Sequence, residues 1–281
     1  MNSNKSIRFI VAVSACMSAS AFAAGDPTSC GDVPGYGLLK AALVQAVADE
    51  SSGLNNHMWA TLVDRDGNVC AVAYSGVNRG AQWLGSRVIS AQKANTGNAF
   101  SLDSSSSKNG SGQAAGLALS TANLFSAVQP GGSLYGLQHS NPVDTGIAYD
   151  GRSTTYGTNK DPLVGNKVGG VNVFGGGLGL YTVGHRLVGG VGVSGDTSCA
   201  DHFIAWRVRH ALGLDHMAAT NTLPAVPGPA SLFDNDPDHP DNIILDVTPN
   251  AAGGTGNSPS GFGHPACLNT GDPLTLPAVQ G

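Results

Sequence analysis

The chain has 281 residues, a formal net charge of −5 at neutral pH and only 12% charged residues. A mildly acidic chain with no Lys/Arg cluster lacks the electrostatic footprint of a nucleic-acid-binding protein. It also has no basic amphipathic segment to lie on a membrane surface.

The first residues read as an export signal. Lys5 and Arg8 form a positive n-region, Phe9 to Ala19 is apolar and small, and Ala21-Phe22-Ala23 is an A-x-A cleavage site. Residues 1–23 are therefore expected to be removed, leaving 24–281 as a single periplasmic or secreted domain. Val13-Ser14-Ala15-Cys16 is a weaker rival, a loose lipoprotein box. No stretch is apolar for 18 residues, so no membrane span is expected. Cys16 leaves with the signal, while Cys30, Cys70, Cys199 and Cys267 remain. An even count in an oxidising compartment suggests two disulfides, with three pairings open.

Gly37 to Ser51 predicts a helix, with Leu38, Leu39, Ala42, Leu43, Ala46 and Val47 on one face. Trp59 to Val63 reads as a mostly buried strand. Asp66-Gly67 turns it into a return strand, Val69 to Tyr74. A second helix fits Ser86 to Phe100, weakened by Gly97. Val171 to Phe174, Leu178 to Val183 and Arg186 to Ser194 read as three strands, the last two joined at Gly184-His185. A final helix runs from Ser198 to Leu212, capped by Asp196 or Thr197, with Phe203, Ile204, Val208, Ala211 and Leu212 as its apolar stripe. The order predicts an α+β fold: a five-stranded antiparallel sheet with packed helices. Residues 37–102 and 171–213 form its core, 103–170 a long loop insertion, and 214–281 an irregular tail rich in Gly, Pro, Asn and Asp.

Gly190-Val191-Gly192-Val193-Ser194-Gly195 matches the dinucleotide-binding pattern G-x-G-x-x-G, and Asp215 lies 20 positions beyond Gly195. No second parallel strand follows to complete such a unit. The glycines are instead expected to let the last helix lie close on the sheet. Ser194 fails as a hydrolase nucleophile because Asp196 stands where G-x-S-x-G needs its last glycine. Asp234, Asp236, Asp238 and Asp241 offer hard oxygens without the spacing of a calcium loop.

Three segments together resemble the GlcG/HbpS-like family: LVDRDGNVCAVAYSG (62–76), GSRVISAQKANTGNAF (85–100) and NVFGGGLGLYTVGHRLVGGVGVSGDTSCADHFIAWR (172–207). Lys93-Ala94-Asn95-Thr96 and Gly189 to Gly195 match the family's K-A-x-T and G-x-[IV]-G-V-S-G patterns. Where the family often has R-x-D-G-A, this chain has Val77-Asn78-Arg79-Gly80-Ala81, so Arg79 replaces the acidic residue. The resemblance implies a profilin-like or roadblock-like α-β-α fold, homo-oligomerisation, and haem or a related tetrapyrrole as ligand. Its topology favours pairing Cys30 with Cys70 and Cys199 with Cys267.

Haem iron takes a His, Met, Cys or Tyr ligand. His202 in the first turn of the last helix, off the apolar stripe, is the leading candidate for the iron. Trp206 would stack on the macrocycle, and Arg79, Arg207 or Lys93 would meet propionates. Thr96 shares the family motif with Lys93. His264, beside Cys267 in the tail, is the alternative donor; His57 and His185 rank lower. Rival readings are a small-molecule enzyme or carboxylate-handling accessory protein using Lys93, Thr96 and the helix start from Ser194 to Thr197, and a structural oligomer without ligand.

Overall fold

The computed structural model describes residues 30–103, 117–217, 236–254 and 256–281. The expected signal and its cleavage site lie outside these residues. Among the described residues, four α-helices and four strands follow in order: α1 (Tyr36–Ala48), β1 (Trp59–Asp64), β2 (Val69–Tyr74), α2 (Ser86–Phe100), the short α3 (Thr145–Ala148), β3 (Gly177–Thr182), β4 (Arg186–Ser194) and α4 (Ser198–Ala211). Among the described residues, no helix is long and apolar enough to cross a membrane.

The strands form one antiparallel sheet in the order β2-β1-β4-β3. Both hairpin turns use left-handed residues: Gly67 in the first, Gly184 and His185 in the second. Period-2 alternation then splits the strand residues between two cores. Ala60, Leu62, Ala71, Ala73, Val191 and Val193 face α1 and α4, where they meet Leu39, Leu43, Phe203 and Ile204. Trp59, Val63, Val69 and Val72 face the other way, toward Val88, Ala91 and Ala94 of α2. The result is three layers: α2, the sheet, then α1 with α4.

The sheet has four strands, not five. Residues 171–174 pass beside α2 without joining a ladder. Their amide groups find side chains instead: Asn172 N–H donates to Thr96 Oγ1 at 3.0 Å, and Phe174 N–H to Asn172 Oδ1 at 3.4 Å. The β4 glycines do bring a helix close, but that helix is α2 rather than the last one. A Cβ on Gly190 would stand 2.2 Å from the Ala94 carbonyl oxygen, and one on Gly192 1.9 Å from that of Ser90. Helix and strand touch backbone to backbone, so no larger residue fits there.

The insertion is built rather than loose where it is described. Thr121–Leu124 and Ser126–Val128 form 3-10 turns, and Leu119, Leu124, Val128 and Val173 make a small core of their own. Asp161 lies buried against Arg87 of α2, with contacts of 2.9 and 2.5 Å, and the Tyr156 ring covers that guanidinium at 3.6 Å. Two disulfides complete the frame. Cys30–Cys70 ties the segment before α1 to β2, and Cys199–Cys267 ties the first turn of α4 to the tail.

Candidate functional site

Polar side chains concentrate where α4 begins. Thr197 caps the helix, accepting from Ala200 N–H at 3.4 Å. Asp196, the other cap candidate, accepts the amides of Leu54 and Asn56 and so holds the approach to β1. The run Gly175-Gly176-Gly177 threads between α4 and α2. A Cβ at these positions would meet the Ser198, Val193 and Lys93 carbonyl oxygens at 2.2, 2.3 and 2.4 Å. This explains three consecutive glycines in a chain segment that is neither turn nor linker.

Lys93 and Asp201 face each other across this thread. Lys93 Nζ is 2.5 Å from Asp201 Oδ2 and 3.1 Å from the Val193 carbonyl oxygen, and neither side chain reaches solvent. Burial pushes the lysine down from its ordinary value and Asp201 up to about 6, while their mutual attraction opposes both shifts. Phe174, 5.2 Å from Nζ, lies over the pair.

Ser198 and His264 form a second pair. Ser198 Oγ lies 2.7 Å from His264 Nε2, and His264 Nδ1 lies 2.7 Å from the Pro265 carbonyl oxygen. A carbonyl only accepts, so Nδ1 carries the proton and the serine hydroxyl donates to Nε2. That is the arrangement of a nucleophile and its base. Its surroundings oppose proton transfer: burial, reinforced by the Lys93 charge, lowers the imidazole to about 4. Ser198 Oγ also accepts Gly175 N–H at 2.6 Å. The pair locks the tail to α4 and to the glycine thread. Cys199, His264 and Cys267 lie close enough together for a metal ion, but both sulfurs are committed to the disulfide and supply no thiolate.

The sequence placed His202 and Trp206 on an open face of α4. That face is covered. His202 is 0% exposed, with Nε2 3.2 Å from Asn242 Oδ1, and burial lowers its imidazole to about 4. Trp206 donates Nε1–H to the Pro277 carbonyl at 2.9 Å and packs against the His239 ring. One turn on, Arg209 makes a two-pronged pair with Asp241, at 2.6 and 2.7 Å, fully buried. The tail supplies each of these partners. Helical spacing shows that 202, 206 and 209 share a face, but it carries no information about what covers that face. Of the sequence candidates, the fold therefore gathers Lys93, His202, Trp206 and His264 near α4. Thr96 lies one turn beyond Lys93, holding Asn172.

Arg79 stands apart, in the loop between β2 and α2. This loop is folded on itself. Asn78 caps the 3-10 turn Arg79–Ala81, Gln82 Nε2 donates to the Asn78 carbonyl at 2.7 Å, and Gly76 N–H donates to Gln82 Oε1. Trp59 Nε1–H holds the Trp83 carbonyl at 2.9 Å. The loop nonetheless leaves Val77 91%, Trp83 53% and Leu84 57% exposed.

A four-stranded antiparallel sheet with one helix on one face and two on the other, carrying a buried Lys–Asp pair beneath a glycine thread, defines a single-sheet α-β-α protein. Residues 39–209 match the family described as "Haem degrading protein HbpS-like", and the chain belongs to that family. A search of curated proteins found no match. Among solved structures, the chain is similar to PduOC, recorded as a haem complex. Identity is 22%, over 64% of this chain and 94% of that one, with a TM-score of 0.42. It is also similar to the Klebsiella pneumoniae protein ORFY, at 25% identity over 63% and 87% with a TM-score of 0.39. A double mutant of Streptomyces reticuli HbpS is 14% identical over 74% and 99%, with a TM-score of 0.38.

Proposed function

We propose that this chain is an exported protein that binds haem or a related tetrapyrrole, for sensing, scavenging or buffering outside the cytoplasm, and that it acts as a homo-oligomer. The family match over residues 39–209 carries this reading. The family's description names haem degradation, and binding is the step that degradation presupposes. Two disulfides suit an oxidising compartment, in line with the export signal read in residues 1–23.

The rival carboxylate-handling role needs a free Lys93. That lysine is already neutralised by Asp201 and sealed from solvent, which favours a structural part for it. Titrating the purified protein with haemin tests the proposal. A saturable Soret shift is the expected result, and an unchanged haemin spectrum at protein excess overturns it. Intact mass of the exported protein, expected to begin at Ala24, tests the compartment independently.

A further inference from the structure

Eight histidines could supply an imidazole to iron, and their surroundings separate them. His202 is buried under the tail, and His264 is buried where the tail packs on α4. His239 has both ring nitrogens engaged, by Asp236 and the Leu276 carbonyl. His210, His185 and His216 set Nδ1 against Asp215, the His216 carbonyl and the Gly281 carbonyl, and they lie near the β3–β4 turn, at the opposite end of the sheet from the exposed loop after β2. His139 is exposed in the insertion, edge-on to Tyr135 and followed by the polar Ser140 and Asn141. His57 remains, exposed just before β1, at the end of the sheet where β1 begins and β2 finishes.

Its setting is that of an oriented ligand. His57 Nδ1 lies 3.1 Å from Ser75 Oγ, which also accepts Met58 N–H at 2.8 Å. With Nδ1–H donating to that hydroxyl, Nε2 presents a lone pair, the tautomer a metal-bound imidazole needs. The ring's Cδ2 edge, next to Nε2, faces Gly76, where an added Cβ would stand 3.3 Å away. Gly76 opens the loop that exposes Val77, Trp83 and Leu84. The same loop carries Arg79, partly exposed and in no ion pair among the described residues. An imidazole, flat apolar cover and a cation together suit a tetrapyrrole dicarboxylate: a ligand for iron, a surface for the macrocycle and a partner for a propionate.

Resting on the haem-binding reading, we propose that His57 is the iron ligand, that Val77, Trp83 and Leu84 cover the macrocycle, and that Arg79 takes a propionate. Haemin titrations of the wild-type chain and the His57→Ala, His57→Gln and His139→Ala variants decide it. The Soret maximum and the affinity are the readouts, and an unchanged far-ultraviolet circular dichroism spectrum checks that each variant is folded. Both His57 variants should move the Soret maximum and weaken binding roughly tenfold or more, the scale seen when even an outer-shell partner of a metal ligand is lost. His139→Ala should leave both unchanged. Folded His57 variants with the wild-type spectrum and affinity would overturn this assignment while leaving haem binding standing. A wild-type chain that never shifts haemin removes the functional reading and this inference with it.

Discussion

The covered face of α4 and the loop from Gly76 to Gly85 carry the same inventory in opposite states. Each offers histidine, tryptophan and arginine: His202, Trp206 and Arg209 on the helix, and His57, Trp83 and Arg79 at the loop. On the helix every one of them is buried and bonded to the tail. At the loop, His57 is exposed and Trp83 half exposed. The residue types that recognise a flat, charged, metal-bearing ligand are also those that cement a polar interior. Accessibility, not composition, separates the two roles.

If the α4 cluster is cement, breaking it should cost stability and leave haem affinity alone. The largest loss is expected from Asp241→Ala, which strands the buried Arg209 guanidinium; removing one partner of such a pair costs about 3–5 kcal/mol. Lys93→Met should cost a similar amount, while the double variant Lys93→Met with Asp201→Leu should recover much of it, because no charge is left unpaired. Chemical denaturation of the single and double variants measures this. A double variant as unstable as the single ones would count against a purely structural pair.

Next comes the staple. Cys199 and Cys267 are 68 positions apart, and losing that closure should cost about 4 kcal/mol on loop-closure entropy. Thermal melts of the Cys199→Ala/Cys267→Ala variant check the figure.

Acid should then act through the sealed histidines. His202 and His264 are held near 4, below the ordinary 6.5, so the unfolded chain takes up protons first as pH falls. Their contribution is intact above pH 6.5 and is lost between 6.5 and about 4, by up to about 3 kcal/mol each. Asp201, raised to about 6, works in the opposite direction below that pH. Stability followed by denaturant titration from pH 7 to 4 should therefore fall, and His202→Gln should flatten the slope. A flat wild-type profile would mean that the tail does not exclude protons from His202 and His264.

The smallest effect on stability belongs to the loop. Val77→Ser should stay within about 0.5 kcal/mol, as exposed substitutions do, yet weaken haemin binding measurably. A large loss of stability there would erase the contrast between the two regions.

Much of the frame was legible in the residues. Helix α2 spans Ser86–Phe100 as its periodicity implied, and both hairpins fall at Asp66-Gly67 and Gly184-His185. These signals are local: a turn dipeptide or a 3.6-residue stripe needs no distant partner to be read. The corrections are all long-range. The stretch 171–174 looks like a strand by composition, but the side chains of Thr96 and Asn172 occupy its amides before a ladder can. Gly190 and Gly192 signal close packing without saying which helix approaches. His202 read as open because its cover is a tail whose few apolar residues, Ile243, Ile244 and Leu276 among them, show no periodicity. His57 ranked low because its value depends on Ser75, which the hairpin brings opposite it, and on a loop whose exposure no local pattern encodes.

The tail that covers α4 also sets an order of events. During synthesis, α4 leaves the ribosome well before Asp241, Asn242, Cys267 and Pro277, so its polar face must wait, wet and unpaired, for the residues that complete it. The sheet and α2 can assemble from earlier sequence, whereas closure over His202, Trp206 and Arg209 comes last. Any stall between α4 and Asp241 would therefore leave a chain with an assembled sheet and an open flank.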